Sequence, residues 1–168
     1  TDMALYTIQN GPMPTTASFA AVTTGTNRKT MLQIKPFNVV KIREWGISFD
    51  GPAAATPIEV ELLDTGTVFG TVTASADADI MKMDGAEGAV ASVAGLTLST
   101  TGTGYTCTSE GSITATKLFD VQFVAPTAQY VKQFPLGAEP KCIIGNSVRI
   151  RVKAASAVNC ICYLVLEL

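Results

Sequence analysis

The sequence predicts an all-β protein: an antiparallel β-sandwich of jelly-roll type, with an extended N-terminal arm and one long surface loop. Segments in which apolar and polar side chains alternate recur along the chain, most regularly over residues 58–63. Turn residues such as Gly51-Pro52 separate these segments at intervals of roughly 8–12 residues, as in sandwiches. No window of about eleven residues shows the 3.6-residue period of a helix. A small β-barrel is the strongest alternative.

The sequence predicts that residues 1–18 form an arm and not a part of the domain. Proline and glycine at positions 11–14 would interrupt a regular element, and the segment is short and weakly patterned. A terminal segment of this kind is either frayed or held on a neighbouring surface. Tyr6 and Ile8 are therefore candidate contacts with another subunit or partner, and residues 19–168 form the predicted sandwich domain.

The predicted strands follow one another through most of the domain. A change from apolar to charged side chains along one face of 39–50 indicates a β-bulge near Arg43. Turn residues between 58–63 and 68–74 predict that these two strands form a hairpin. The strands are expected at 30–34, 39–50, 58–63, 68–74, 112–124, 130–134, 148–153 and 158–167.

Residues from about 75 to 111 predict the long surface loop, because they are rich in Ala, Gly, Ser and Thr. Loops of this length in compact domains usually carry function or make contacts, and one short helix is expected near 86–94. Calcium binding is disfavoured because Met81 and Gly88 stand at positions 5 and 12 of an EF-hand loop that starts at Asp77, where the loop needs ligands. A solvated acidic loop is expected instead, with these acidic residues: Asp77, Asp79, Asp84 and Glu87.

Composition argues against several classes of function. The 168 residues include 12 Lys and Arg against 14 Asp and Glu, a net charge of −2 that disfavours nucleic-acid binding. The absence of His excludes Ser-His-Asp and Cys-His catalysis and every His metal ligand. No nucleophile-elbow, Walker or dinucleotide-binding motif occurs, and no apolar run reaches the length of a membrane span. We expect no enzymatic activity, no catalytic residue, no cofactor and no membrane partner.

The cysteines and the single tryptophan are expected to be structural. None of the cysteines forms a CxxC pair, so small buried thiols are favoured over a disulfide or a metal site. Trp45 is expected to anchor the core, with a sugar-stacking platform as the alternative. The cysteines are Cys107, Cys142, Cys160 and Cys162.

Two groups of charged side chains are the candidate binding residues of the domain. Arg149, Arg151 and Lys153 alternate with apolar residues, so they share one face of a strand. Glu59 and Glu61 likewise share the outer face of another strand. One interpretation is a solvated face with cross-strand ion pairs, each worth under about 1 kcal/mol. The other is a charged strip that contacts a second subunit or a partner; nucleic acid is least favoured because no aromatic residues interleave the cations.

Four segments resemble those of a family of small virion proteins of tailed bacteriophages, the capsid decoration or cement proteins. They are REWGISFDG (43–51), PIEVELL (57–63), AQYVKQFPLG (128–137) and VRIRV (148–152). The resemblance spans roughly residues 17–167 and is one of pattern and phrase, without a catalytic motif. The acidic stretch 77–87 matches it least.

The resemblance implies a homotrimer that binds the exterior of an expanded icosahedral shell, with the major capsid protein as its partner. It also implies a location in the virion after assembly in the host cytoplasm. A surface with few charges is compatible with a subunit that is covered by neighbouring subunits. One alternative is a receptor- or glycan-binding module of a tail or fibre, which the dispersed aromatic residues disfavour. The other is a self-assembling jelly-roll shell subunit; the absence of Lys and Arg from 1–27 disfavours direct genome packaging.

Overall fold

A computed structural model describes residues 4–52, 56–83 and 95–168 of the chain. Within these residues it has thirteen strands and a single 3-10 turn at Asp77–Asp79, so the predicted all-β class is confirmed. The strands are β1 (Leu5–Gln9), β2 (Val22–Thr23), β3 (Lys29–Ile34), β4 (Val40–Phe49), β5 (Ile58–Gly66), β6 (Thr71–Ala74), β7 (Ile80–Lys82), β8 (Gly104–Ser109), β9 (Lys117–Val124), β10 (Gln129–Gln133), β11 (Lys141–Cys142), β12 (Ser147–Lys153) and β13 (Asn159–Glu167).

These strands form two antiparallel sheets, which confirms the β-sandwich. Sheet A has the order β10-β4-β13-β1-β7, with β11 also beside β4 and β2 also beside β13. Sheet B has the order β6-β8-β3-β12-β5-β9. The chain crosses repeatedly from one sheet to the other, so most paired strands are far apart in sequence. In these strand orders, β9 lies at an edge of sheet B and β10 lies at an edge of sheet A.

The core lies between the sheets and follows the predicted alternation in β5. Ile58, Val60 and Leu62 point inward and are buried. Trp45 is fully buried at the centre of β4, as expected of a core anchor, and its ring packs against that of Tyr130 in a T-shaped arrangement with 5.5 Å between ring centroids. Burial of such side chains contributes roughly 1.5–3 kcal/mol each and supplies the main driving force for folding.

The predicted bulge near Arg43 is present. In the ladder between β4 and β13, Val165 faces Glu44 while Leu166 faces Ile42, so Arg43 is the extra residue on β4. The predicted hairpin of 58–63 with 68–74 is wrong. Strand β5 continues to Gly66 and pairs with β12 and β9, whereas β6 pairs with β8.

The first strand is built into the sheet and is not a free arm. Residues Leu5–Gln9 lie between β13 and β7, and the side chains of Tyr6 and Ile8 are buried in the core. Asn10 extends the attachment, because its side chain donates to the carbonyl of Cys160 at 3.1 Å and accepts from the amide of Cys162 at 3.0 Å. The expectation that Tyr6 and Ile8 contact a partner is therefore wrong; residues 1–3 of the predicted arm lie outside the described residues.

The long loop is shorter than predicted, since residues 80–82 and 104–109 are strands β7 and β8. Asp79 is not a solvated acid: it is buried and accepts hydrogen bonds from the amides of Met13 at 2.9 Å and Ala76 at 2.8 Å. The helix expected near 86–94 lies outside the described residues, and so do the acidic positions 84 and 87. Strand β9 begins only at Lys117, later than the expected position 112.

The four cysteines are free and buried, as predicted. Burial raises the pKa of the Cys142 thiol to about 12, and it raises the pKa of the Cys162 thiol well above its ordinary value. Because the thiolate is the reactive form, these side chains behave as small apolar residues. Among the described residues, no helix has the length and apolar character needed to span a membrane.

Candidate interaction surface

The outer face of sheet B brings together most of the charged residues that the sequence singled out. In the ladder between β5 and β12, Arg151 lies opposite Glu61 and Lys153 lies opposite Glu59. The guanidinium of Arg151 donates from Nε and Nη2 to Oε1 of Glu61, both at 2.7 Å. The cross-strand ion pair expected on this face is therefore present.

Arg28 completes this charged group and was missed from the sequence. Its guanidinium contacts Glu59 at 2.7 Å and Glu61 at 3.0 Å, so Glu61 binds two arginines. The hydrogen bond to Glu59 is the main cause that raises the pKa of Arg28. Arg28 directly precedes β3. Because no alternating pattern extends to this position, the sequence does not indicate on which face of the sheet its side chain lies. The two carboxylates of this face are thus already matched by cations. The Arg28–Glu59 pair is partly exposed and stabilises the fold only modestly, whereas Glu61 and Arg151 are largely buried.

Arg149 shares the same face of β12 but is completely buried. Its Nη1 contacts the Glu110 carboxylate at 2.8 Å, and its Nη2 donates to the carbonyl of Val68 at 2.7 Å. Glu110 also accepts from the amide and hydroxyl of Thr30. Burial lowers the pKa of Arg149, and the Glu110 carboxylate opposes that shift. The expectation that Arg149 contacts a partner is wrong: it fastens two loops to sheet B.

Strand β9 has an inverted alternation, which sequence analysis did not detect. Apolar Val121 and Phe123 alternate with polar Asp120 and Gln122, a pattern that normally places the apolar pair in the core. The structure shows the opposite facing. Asp120 is buried, whereas Val121 is exposed and Phe123 is the most exposed large apolar residue described, at 77%. In the ladder with β5, Phe123 lies opposite Glu59 and Val121 opposite Glu61, directly beside the charged group.

The inverted facing is held by the hydrogen bonds of Asp120. Its carboxylate accepts from the indole of Trp45 at 3.1 Å, the hydroxyl of Tyr130 at 2.8 Å and the amide of Gln122 at 3.2 Å. Burial, followed by the contact with Asp120, raises the pKa of Tyr130 to about 12. A slip of one residue in β9 would break the bonds to Trp45 and Tyr130, because it would turn Asp120 to the outside. The outward position of Val121 and Phe123 is therefore fixed by the core.

A groove opens at the start of β9, where the edges of the two sheets approach each other. It has a volume of about 510 Å³. Leu118 lies on one wall and Ile143 on the other, and each is more than half exposed. Leu136 and Ile144, in the segment that flanks β11, are also largely exposed. Six of the twelve large apolar residues that are exposed in the described parts of the chain thus lie along β9 and the 134–144 segment.

The 134–144 segment is fastened to the bulge of β4. Arg43 contacts the carboxylate of Glu139 at 2.9 Å and that of Glu167 at 2.8 Å. The amide of Gly137 donates to Glu139 at 2.8 Å. Hydrogen bonds from the backbone are the main cause that lowers the pKa of Glu139, and Arg43 adds to the effect. The bulge thus has a structural purpose: it places the Arg43 side chain where it can hold this segment.

Comparison of the chain with models of protein families, with curated protein sequences and with solved structures finds no match. Within residues 4–52, 56–83 and 95–168, no cluster of three or more Cys, Asp or Glu could hold a metal ion. The surface described above is therefore the candidate functional site. It combines the β9 surface, which we define as Leu118, Val121 and Phe123, with the charged group beside it.

Proposed function

We propose that the chain is a non-enzymatic structural protein that binds another protein through the β9 surface. The observation that carries the proposal is the inverted facing of β9. A buried network centred on Asp120 holds Val121 and Phe123 outward on an exposed edge strand, where soluble proteins normally place charges. Bulky apolar side chains fixed in the open are typical of the centre of a protein interface.

The neighbouring charges suit the rim of such an interface. Arg28, Glu59, Glu61 and Arg151 already pair with one another, so a partner that covers this face need not supply counter-charges. Interfaces commonly combine an apolar centre with a polar rim of this kind. No step of this function requires a nucleophile, a general base or a cofactor.

The resemblance to decoration proteins suggests which surface is bound. We propose the exterior of a tailed-phage capsid, with the major capsid protein as partner, a homotrimer as the bound form and assembly in the host cytoplasm. We also interpret β1-β13-β4-β10 and β3-β12-β5-β9 as the two sheets of a jelly roll, an architecture found in viral capsid and lectin domains. A protein that binds only the assembled shell stabilises it by mass action at every occupied site.

Immunogold labelling of intact virions with antibodies against the purified chain tests this proposal. Label spread over the head is expected. Label confined to the tail tip or fibres, or no label on any particle, would contradict a role in capsid decoration.

A depression beside Phe123 favours a second candidate function, glycan binding in a tail or fibre. It has a volume of about 250 Å³ and is lined by Phe123, Glu59 and Lys153 among others. An exposed aromatic ring beside charged groups is able to stack on a sugar and to hydrogen-bond its hydroxyls. Screening of the purified chain on a glycan array tests this candidate, and binding that disappears in Phe123→Ser would support it.

A further inference from the structure

We propose that the groove at the start of β9 binds an extended protein segment that carries acidic side chains next to bulky apolar ones. The proposal deepens the proposed function and rests on it, because it names the chemistry of the partner that the β9 surface would meet. Four features support it: the two elements that line the groove, its apolar walls, its charges and the free edge of β9.

The groove is lined by two separate elements of the fold. It runs between the first half of β9, on sheet B, and the segment that connects β10 to β11, on sheet A. Its volume is about 510 Å³. The connecting segment is held by Arg43 through Glu139, so this wall is formed before a partner arrives. A preformed site avoids the entropic cost of ordering a loop on binding.

The walls of the groove offer apolar contacts to alternate residues of a bound segment. Leu118 and Phe119 lie on the β9 side, and Phe134 and Ile143 lie on the opposite side. Leu118 and Ile143 are 52% and 54% exposed, so much of their apolar surface is left for a partner to cover. Burial of such surface contributes roughly 25 cal/mol per Å².

The charge of the groove is positive, although the chain as a whole has a net charge of −2. Lys117 and Lys141 line it, and among the described residues neither has a carboxylate within ion-pair distance. Lys141 also lies directly opposite Lys41 in the ladder between β11 and β4, an arrangement of like charges that an anion would relieve. The acidic residue of the groove, Glu139, is already bound by Arg43 and the amide of Gly137. The complementary partner is therefore acidic.

The edge of β9 adds backbone recognition to these side-chain contacts. Within the part of the chain that the structure describes, β9 pairs with β5 on one side and with no strand on the other. An extended segment could add to this edge as a further strand, with backbone hydrogen bonds for affinity and alternate side chains directed into the groove. Few charged side chains protect the edge, because Lys117 and Asp120 are the charged residues of β9 and Asp120 is buried.

Selection from a random peptide library against the full chain tests the inference. We expect enriched peptides in which Asp or Glu alternates with Leu, Ile, Val or aromatic residues. For the synthetic form of the best peptide, measured by fluorescence anisotropy, Lys117→Glu/Lys141→Glu should weaken binding by about tenfold or more, since two attractive contacts become repulsive. Lys35→Glu is the matched control: this lysine follows β3 and lies beside Phe69, and it lines neither the groove nor the β9 surface, so its replacement should change affinity less than about twofold.

Two results would overturn the inference. One is a selection that enriches no acidic-apolar peptides; the other is a best peptide that binds the double variant as well as the wild type. Circular dichroism of the double variant checks that the fold is kept, and Ile143→Ser gives a second probe of the groove without a change of charge. Failure of immunogold labelling alongside successful peptide selection would reject the decoration role and leave the groove as a protein-binding site.

Discussion

The alternating pattern of β12 places Arg149, Arg151 and Lys153 on the same outer face, but the two ends of this face differ in the structure. At one end, Arg149 is sealed beneath Val68 and Glu110. At the other end, Lys153 is exposed, and Arg151 keeps 13% of its side chain exposed where it binds Glu61. Alternation along a strand determines which face a residue occupies, but a covering loop determines whether that residue meets solvent. The covered half is structural, and the open half is available to a partner.

The largest expected effect comes from opening the covered half. Arg149→Ala removes both contacts to Glu110 and Val68 and leaves these groups without their buried partner. We expect a loss of about 3 kcal/mol in the free energy of unfolding, at the low end for a broken buried pair because Glu110 is partly exposed. Urea denaturation monitored by Trp45 fluorescence measures it. A loss below that of Arg151→Ala would contradict the division into two halves.

The next effect concerns the network that turns Val121 and Phe123 outward. Asp120→Ala removes the acceptor of Trp45 and Tyr130, and we expect a loss of about 2 kcal/mol in the free energy of unfolding. The pKa of Tyr130, raised to about 12 in the wild type, should fall because one cause of its shift is gone. Alkaline absorbance titration of the phenols follows that change. An unaltered Tyr130 titration would show that Asp120 does not hold this side of the sandwich.

A smaller effect is expected in the open half. Arg151→Ala breaks a pair whose side chains are only 13% and 8% exposed, but Glu61 keeps its contact with Arg28. The free energy of unfolding should therefore fall by about 1 kcal/mol, because the remaining carboxylate still has a charged partner. The same denaturation experiment, with Lys153→Ala as a control outside any ion pair that the described residues form, checks this. A loss equal to that of Arg149→Ala would make the open half structural as well.

The smallest expected effect is a dependence of the free energy of unfolding on pH. It concerns Glu139, whose contact with Arg43 holds one wall of the groove. Folding lowers the pKa of Glu139 from its ordinary value of 4.5, so its contribution to stability is present above that pH and is lost as the pH falls toward the folded pKa. Glu139→Gln should therefore be less stable than the wild type at about pH 6, and the difference should shrink at about pH 3. Urea midpoints at the two pH values measure it. A difference that grows on acidification would contradict the assignment.

The parts of the fold that could be predicted are those that local pattern specifies. The inward facing of Ile58, Val60 and Leu62 follows from strict alternation, and the bulge at Arg43 follows from a change of environment along one face. The sandwich follows from the spacing of the turns. Each of these depends on neighbours in sequence.

The parts that could not be predicted depend on distant partners. Asp120 is turned inward by Trp45, 75 residues away, and Arg149 is covered by Glu110, 39 residues away. Tyr6 is buried because the first strand pairs with the last one, β13, and nothing in residues 1–18 marks that pairing. Most of the candidate site belongs to this second class. The charged residues of the open half were predicted, whereas Phe123 and the groove became visible only in the structure.

The central claim is that the β9 surface serves a partner and not the fold. Phe123→Ser tests it most directly, with the free energy of unfolding and cosedimentation with capsids lacking the protein measured on one preparation. We expect stability within about 0.5 kcal/mol of the wild type, as for exposed positions, together with at least tenfold weaker binding to the capsid. Undiminished binding, or a large loss of stability with binding retained, would contradict the claim.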